Sequence, residues 1–213
     1  KVKSFFSHLA CSEDTEMDYF TRSQIQKFRE WSTLLKDRLG RKDVLCHILN
    51  SSGIVRFPEA EMDMVRLGIG LYGIAPDPEI QKQLTLISKL KTKISQIKSI
   101  PQGDSVGYNC KWVAKRDSRI AIIPIGYADG LDRKLGDEVG KVLVNGKVAP
   151  IIGRICMDMS FVDVTDIECK ETDEVVIFGN SDSLHQLADS IGTISYEVLT
   201  SVSQRVKRVY FWE

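Results

Sequence analysis

The sequence has no excess of charge of either sign, because 29 basic residues balance 29 acidic residues in a chain of 213. A balanced chain has no net positive field that would attract polyanions, so we expect neither a nucleic-acid partner nor an anionic-membrane partner. The sequence also has no apolar stretch long enough to span a bilayer. Its 43% hydrophobic and 27% charged residues are typical of soluble globular proteins.

Paired cysteine motifs and targeting signals are absent too. The five cysteines are odd in number and scattered, with no CxxC pair, so no zinc or other metal site is expected. Free thiols in a reducing cytoplasm are the simplest interpretation. The chain begins at Lys1 with no methionine and no signal-peptide pattern, and we expect that upstream sequence has been removed.

Residues 1–86 alternate predicted strands with predicted helices. A strand in "KVKSFF" precedes a helix over 14–40, where Phe20, Ile25 and Trp31 share one stripe with other apolar residues and Gly40 marks the end. "VLCHIL" is a second strand, "SSGIVRFP" a short helical turn, and "MVRLGIGLYG" a third, fully buried strand. This order is typical of a parallel α/β fold. Three parallel strands do not form a stable sheet alone, so the region is expected to be the end of a larger barrel or sheet.

Residues 87–213 are predicted to be mostly antiparallel β structure. "LISKLKTKISQIKSI" alternates lysines with apolar residues, as a half-exposed strand does. The Asn145-Gly146 pair in "KVLVNGKVAPI" indicates a two-residue hairpin. "SRIAIIP", "RICMDMSFVDV" and "DEVVIFG" are further predicted strands, and "SLHQLADSIG" is a short helix.

Polar side chains cluster at the carboxyl ends of the three predicted parallel strands, where α/β folds bind ligands. His8 follows the first strand, Asn50 and Ser51 follow the second, and Arg66 and Gly68 lie in the third. Arg66 stands in an apolar run and cannot lose its charge, so it needs a partner. Structural alternatives stay open: His8 as a core or loop histidine, Asn50 as a helix N-cap, Gly68 as a strand-end glycine and Arg66 in a structural ion pair.

Several motifs in the β part add candidate groups. "SVGYNCKW", "IPIGYADG", "GRICMDMS" and "TISYEV" contain Tyr108, Tyr127, Met157 and Tyr196. Each tyrosine could equally be a packed aromatic with a satisfied hydroxyl, Met157 could be core, and "ADG" could be only a turn.

In this order the motifs "SHLACSED", "HILNSSGIVRFP", "VRLGIGLYGIAP", "VGYNCKW", "IPIGYADG", "GRICMDMS" and "ISYEV" resemble the bacterial alanine racemases, fold-type III enzymes that use pyridoxal 5'-phosphate (PLP). The resemblance covers essentially the whole chain. It implies an α/β plus β fold: residues 1–86 would be the last three β/α units of a TIM-type (β/α)8 barrel, and 87–213 the family's C-terminal β domain. It also implies interconversion of L- and D-alanine to supply peptidoglycan synthesis.

The resemblance gives each candidate residue a role. Tyr108 matches the catalytic base on the face of the substrate opposite the cofactor-bearing lysine, with His8 and Arg66 supplying positive charge or donors nearby. His8 also matches a residue packed against the pyridine ring, and Arg66 the donor to the pyridine nitrogen. The PLP phosphate would be held at the end of the second strand, where Asn50 stands. The residues that match the phosphate cradle are Ser51, Gly68, Ile69 and Tyr196.

On the substrate side, the resemblance implies that the Met157 amide holds the carboxylate of a small amino acid. Tyr127, Tyr196, Arg133 and Asp158 would form a constricted entrance. Tyr108, Tyr127 and Met157 reach the partner's active site in the family, which implies a homodimer with shared sites.

The family's cofactor-bearing lysine, its substrate-carboxylate arginine and the modified lysine beside that arginine all lie upstream of Lys1. We therefore expect a fragment that is inactive alone. Two other interpretations stay open: a racemase for serine or another small amino acid, and a non-catalytic binding or assembly module.

Overall fold

The computed structural model describes residues 1–211. They fall into two compact units, an N-terminal unit of Lys1–Ile87 and a C-terminal unit that begins at Ser88. The strands are β1 Ser4–Phe6, β2 Leu45–His47, β3 Leu90–Lys93, β4 Gln96–Ile100, β5 Ser105–Val106, β6 Trp112–Val113, β7 Ser118–Ile123, β8 Lys141–Val144, β9 Lys147–Ile152, β10 Ser160–Asp163 and β11 Glu174–Phe178. The α-helices are α1 Asp18–Arg38, α2 Ser51–Arg56, α3 Pro78–Gln81, α4 Ser181–Ser190 and α5 Ser195–Ser201.

The N-terminal unit is built on a two-stranded parallel sheet, with β1 and β2 in register from Ser4↔Leu45 to Phe6↔His47. Helix α1 packs Ile25 into a core that also contains Leu9, Ile48 and Phe57. The predicted helix is confirmed, and Gly40 adopts the left-handed conformation just past its end (φ 62°). The predicted stripe is only partly buried: Phe20 is 42% and Trp31 62% exposed.

The predicted third strand at 64–73 was wrong. The chain does run beside β2, where Asp63 N donates to Cys46 O and Arg66 N donates to Leu49 O. It then leaves the sheet, because Gly68 takes a non-extended conformation and Ile69–Tyr72 forms a 3-10 helix. This unit therefore has two parallel strands and one flanking segment, rather than the three expected.

The C-terminal unit contains a seven-stranded antiparallel sheet in the order β3-β11-β8-β9-β10-β7-β4. β3 and β4 lie at opposite ends of this order but are joined by only residues 94–95, so the sheet must curl until its edges meet. The alternating segment predicted as one strand is thus two. The Asn145-Gly146 hairpin between β8 and β9 is confirmed, with both residues at positive φ.

The motif Arg154–Met159 was predicted to be part of a strand, but it is a loop that leads into β10. Helix α4 forms where "SLHQLADSIG" predicted it, capped by Asn180. Among residues 1–211, no helix has both the length and the apolarity needed to cross a membrane.

Candidate active site

Arg66 lies at the carboxyl end of β2, among backbone carbonyl groups. Its Nη2 donates to Ser7 O at 2.6 Å, and its Nη1 lies 2.6 Å from His47 Nδ1. Longer bonds reach His47 O and Ile48 O, both at 3.3 Å. Within residues 1–211 no carboxylate forms an ion pair with Arg66, so the partners that hold it are neutral. Burial lowers the pKa of Arg66, but a guanidinium still keeps its charge at neutral pH.

His47 is the functional candidate that the sequence interpretation missed. It is 7% exposed and stacks on Phe6, with ring centroids 5.5 Å apart. Because a guanidinium can only donate, His47 Nδ1 must accept, which assigns a neutral ring with its proton on Nε2. Burial, and then the charge of Arg66, lower the pKa of His47. The sequence does carry a signal for His47, because a titratable side chain stands inside an apolar strand, as Arg66 stands in an apolar run.

His8 comes near Arg66 as expected. Its Nδ1 lies 3.3 Å from Arg66 Nη2. Gln24 of α1 fixes the loop, donating to His8 O at 2.6 Å and accepting from Ala10 N at 3.2 Å. The His8 ring itself is exposed at the surface of the unit.

Asn50 and Ser51 act together at the start of α2. Asn50 is the helix N-cap, and its Oδ1 accepts from Gly53 N and Ser12 Oγ, both at 2.9 Å. The structural alternative for Asn50 is thus confirmed. Ser51 faces the segment after Arg66, where its Oγ accepts from Gly68 N at 2.9 Å and from Gly70 N at 3.3 Å.

A small cradle of amides surrounds the Ser51 hydroxyl. Ile69 lies between the two glycines that donate to it and is only 3% exposed. In the described part of the chain, the Ile69 N–H donates to no acceptor. Buried amides are normally paired, so this one indicates room for an external acceptor beside a hydroxyl whose own proton can still be donated.

In the C-terminal unit, Tyr108 is 67% exposed on an unusual stretch of backbone. Gly107, Asn109 and Cys110 all have positive φ, at 80°, 61° and 48°. Non-glycine residues held in this region cost about 1 kcal/mol or more each, and such strain concentrates at functional sites. The strained turn presents the Tyr108 phenol outward from its unit.

Tyr127 and Met157 lie on two loops that are fastened to each other. Tyr127 N donates to Cys156 O and Ala128 N to Met157 O, each at 3.0 Å. The Met157 N–H donates to no acceptor within residues 1–211, so it can bind a ligand carboxylate. Arg133 places its guanidinium 6.0 Å from the centre of the Tyr127 ring, within cation–π range.

Asp158 is held by a residue that the sequence interpretation did not select. Arg205 Nη2 donates to Asp158 Oδ1 at 2.6 Å, and Arg205 Nε donates to Asp129 Oδ1 at 2.8 Å. Tyr196 lies on α5 and is 47% exposed. The structure thus gathers the candidates into two sets, one per unit: His8, Ser51, Arg66, Gly68 and Ile69 in the first, and Tyr127, Arg133, Met157 and Asp158 in the second, with Tyr108 and Tyr196 on separate elements of the second unit.

Comparison with known proteins shows which family the chain belongs to. The family described as "Alanine racemase, C-terminal domain" matches residues 87–210, and "Alanine racemase, N-terminal domain" matches residues 1–76. The chain belongs to the alanine racemase family.

Individual relatives agree with this assignment. Alanine racemase 2 of Caldanaerobacter subterraneus subsp. tengcongensis is 42% identical over 219 residues, covering 100% of this chain and 56% of the relative. The structure of Clostridium difficile 630 alanine racemase in complex with cycloserine superimposes with a TM-score of 0.86 at 36% identity, covering 97% of this chain and 55% of the other. That of the Bartonella henselae alanine racemase with covalently bound pyridoxal phosphate gives 0.80 at 33% identity, covering 99% and 57%.

The chain therefore spans little more than half the length of these alanine racemases. The family depends on PLP, and the first set fits that cofactor: Ser51 and the Ile69 amide offer donors to a phosphate, and Arg66 offers a donor to a ring nitrogen. The part of the chain that the structure describes has no group of three or more histidine, cysteine, aspartate or glutamate side chains placed to share a metal ion.

Proposed function

We propose that the complete protein, meaning this chain extended by the N-terminal part that its relatives possess, interconverts L- and D-alanine with PLP as cofactor. It would act in the cytoplasm and supply D-alanine for peptidoglycan. The observation that carries the proposal is the environment of Arg66, a cation fixed by carbonyl oxygens and a neutral histidine rather than by a carboxylate. The family membership of both units supports the same activity.

The residues of the N-terminal unit would hold the cofactor at two places. Arg66 donates to the pyridine nitrogen, and His8 packs against the ring. Ser51 and the amides of Gly68 and Ile69 would bind the phosphate, and the family resemblance adds Tyr196 to its donors. Asn50 contributes by capping the helix that begins with Ser51, and so fixes where that hydroxyl points.

When bound, PLP withdraws electrons from the amino acid attached to it and so lowers the barrier to removal of the Cα proton. Arg66 would limit this electron withdrawal. A guanidinium keeps its proton at neutral pH, so Arg66 would donate a hydrogen bond to the ring nitrogen without transferring the proton. His47 accepts from the same guanidinium through Nδ1 and supplies no positive charge. Because neither Arg66 nor His47 gives a proton to the ring nitrogen, these two residues would favour return of the proton to Cα over transamination.

Racemisation needs a second proton-transfer group on the face opposite the cofactor-bearing lysine, and Tyr108 is that group. A phenol is a weak general base, so donors close to its oxygen would have to assist the proton transfer. The exposed position of Tyr108 suits delivery to a second subunit. The proposal therefore includes a homodimer in which Tyr108, Tyr127 and Met157 of each subunit complete the other subunit's site.

The second set would select the substrate. The Met157 N–H, which has no acceptor among residues 1–211, binds the substrate carboxylate. Tyr127, Arg133, Asp158 and Tyr196 narrow the entrance and favour a small side chain. The C. difficile relative was solved in complex with cycloserine, a small cyclic amino-acid analogue, which supports a site for a small amino acid.

The test compares the complete protein with the 213-residue chain. With PLP, the complete protein should convert pure L-alanine to an equal mixture of enantiomers, faster than it converts L-serine, as measured by chiral chromatography. The isolated chain should produce no D-alanine and no site-specific cofactor absorbance band, because it lacks the cofactor-bearing lysine. A complete protein that racemises serine in preference, or neither amino acid, contradicts the proposal.

A further inference from the structure

The turn Gly126–Gly130 is pressed against two other segments of the C-terminal unit. A Cβ on Gly126 would lie 2.3 Å from Cys156 O and 2.4 Å from Met157 O. A Cβ on Gly130 would lie 2.3 Å from Ser201 O, at the end of α5. Contacts this close exclude any side chain, so both glycines let backbone meet backbone.

Arg205 donates hydrogen bonds to the turn and to the segment that contains Met157, and it follows the third segment, the end of α5, in the chain. Its Nε donates to Asp129 of the turn at 2.8 Å, and its Nη2 donates to Asp158 of the second segment at 2.6 Å. Ser203, two residues before Arg205, donates from its N–H to Asp129 O at 2.9 Å. Ser201 Oγ donates to Gly130 O at 3.1 Å. One guanidinium thus connects the turn of Tyr127 to the loop of Met157, while Ser201 and Ser203 bond the end of α5 and the chain after it to the same turn.

Asp129 is the buried end of this network. Its side chain is 13% exposed, compared with 58% for Asp158. Burial favours a higher pKa for Asp129, but hydrogen bonds from Arg205 and from Gly126 N outweigh it, so the pKa is lowered and the carboxylate stays ionised. An ionised carboxylate that is this buried depends on its cationic partner.

We infer that Arg205 is a positioning residue for substrate recognition, which holds Tyr127 and the Met157 amide in the arrangement that binds the amino acid. The inference rests on the proposed function for the identity of the substrate. Arg205 itself contacts no reacting atom in this scheme. Its loss should therefore weaken substrate binding more than it slows the chemical step.

The experiment compares Arg205→Met, Arg205→Lys and a control in the complete protein. Arg205→Met should raise KM for L-alanine about tenfold and leave kcat within about threefold. Arg205→Lys should fall between wild type and Arg205→Met, because an ammonium keeps the charge but lacks the planar fork that spans two carboxylates. Arg116→Met is the control: it removes an arginine that forms an exposed ion pair with Asp166 on the same unit, and KM should not change.

A second readout does not depend on activity. The amides of Tyr127 and Ala128 donate across to Cys156 and Met157, so their hydrogen-exchange protection reports whether the two loops stay together. Protection should fall in Arg205→Met and in Asp158→Asn, and persist in Arg116→Met. Combining Arg205→Met with Asp158→Asn should add little to the effect of Arg205→Met alone, since Arg205→Met already removes the contact through which Asp158 acts.

Wild-type KM together with wild-type exchange in Arg205→Met would overturn the inference. If Arg205→Met fails to fold, Arg205→Lys and Asp158→Asn decide by the same two measurements. If the wild-type complete protein shows no racemase activity, the proposed function fails, while the exchange data still decide whether Arg205 holds the loops together.

Discussion

Replacing Arg66 by glutamate separates what this residue does for the fold from what it does for the reaction. The guanidinium makes two short contacts, to Ser7 O and His47 Nδ1, both at 2.6 Å, and three longer ones at 3.3 Å. A glutamate would lose every donor and set its carboxylate against the same carbonyl oxygens. Each hydrogen bond of a charged donor contributes about 1.5–3 kcal/mol, and the half-buried site reduces the sum, so we expect a loss of about 2–4 kcal/mol in the free energy of unfolding.

The effect on the reaction is distinct. A carboxylate within a few ångströms of the pyridine nitrogen should raise the pKa of that nitrogen by about 1 to 3, so the ring would hold its proton. A protonated ring is a stronger electron sink, and return of the proton to Cα is then no longer the only outcome. We expect slower racemisation, a new long-wavelength absorbance band and measurable formation of pyruvate by transamination.

Two further variants make the experiment interpretable. Arg66→Met removes the donors without adding negative charge, so it should lose similar stability but produce no new band. Arg66→Lys should be milder than either, though not neutral, because ammonium lacks the planar fork. Unfolding of the complete protein in urea, followed by circular dichroism, measures the stability part, and absorbance with a pyruvate assay on the same protein measures the rest. An Arg66→Glu enzyme that racemises at the wild-type rate with no new band would refute this account of reaction specificity.

The remaining predictions concern a proton-transfer group, a buried histidine and a tight glycine. Tyr108→Phe should slow racemisation about 100-fold or more in both directions, while Cα-proton exchange in heavy water survives better for one enantiomer; equal loss with both would contradict a face-specific base. His47 has a folded-state pKa below its ordinary value of about 6.5, so the unfolded chain binds more protons at low pH; stability should therefore be full above about pH 6.5 and fall as the pH drops below it. His47→Gln should flatten this slope, and an unchanged slope would argue against the assignment. Gly126→Ala should destabilise the C-terminal unit by about 2–4 kcal/mol, because its Cβ would meet carbonyl oxygens. Gly179→Ala should be mild, because the atom nearest to its Cβ would be a side-chain methyl at 3.2 Å. Equal melting temperatures of the two variants would show that the loops relax freely.

What the sequence could predict depended on how local the determinants are. Helix α1 and the hairpin at Asn145-Gly146 follow from periodicity, a left-handed glycine and turn chemistry, all within a few neighbouring residues. The segment at 64–73 was mistaken for a strand because apolar composition does not distinguish a paired strand from a chain that two glycines turn away from the sheet. Phe20 and Trp31 matched a helical stripe, but a stripe does not say which part of it a neighbouring element covers.

The site shows the same division. Arg66 and His8 could be selected as anomalies at predicted strand ends, and the structure brings them within 3.3 Å of each other. His47 could have been chosen on the same criterion. Arg205 could not, since its partners Asp129 and Asp158 lie 76 and 47 residues away and an arginine near the end of a chain gives no local signal. Long-range pairing of charges is set by the tertiary fold, which no local pattern encodes.

The most direct test of the central claim mixes two damaged forms of the complete protein. If Arg66 and Tyr108 of each site come from different subunits, co-refolding Arg66→Glu with Tyr108→Phe gives mixed dimers that contain one intact site and one doubly damaged site. Half of the dimers are mixed at equal input, so L-alanine should become D-alanine at about one quarter of the wild-type rate. A rate no higher than the average of the two separate variants would contradict the account, because each site would then draw both residues from one subunit or would not depend on them.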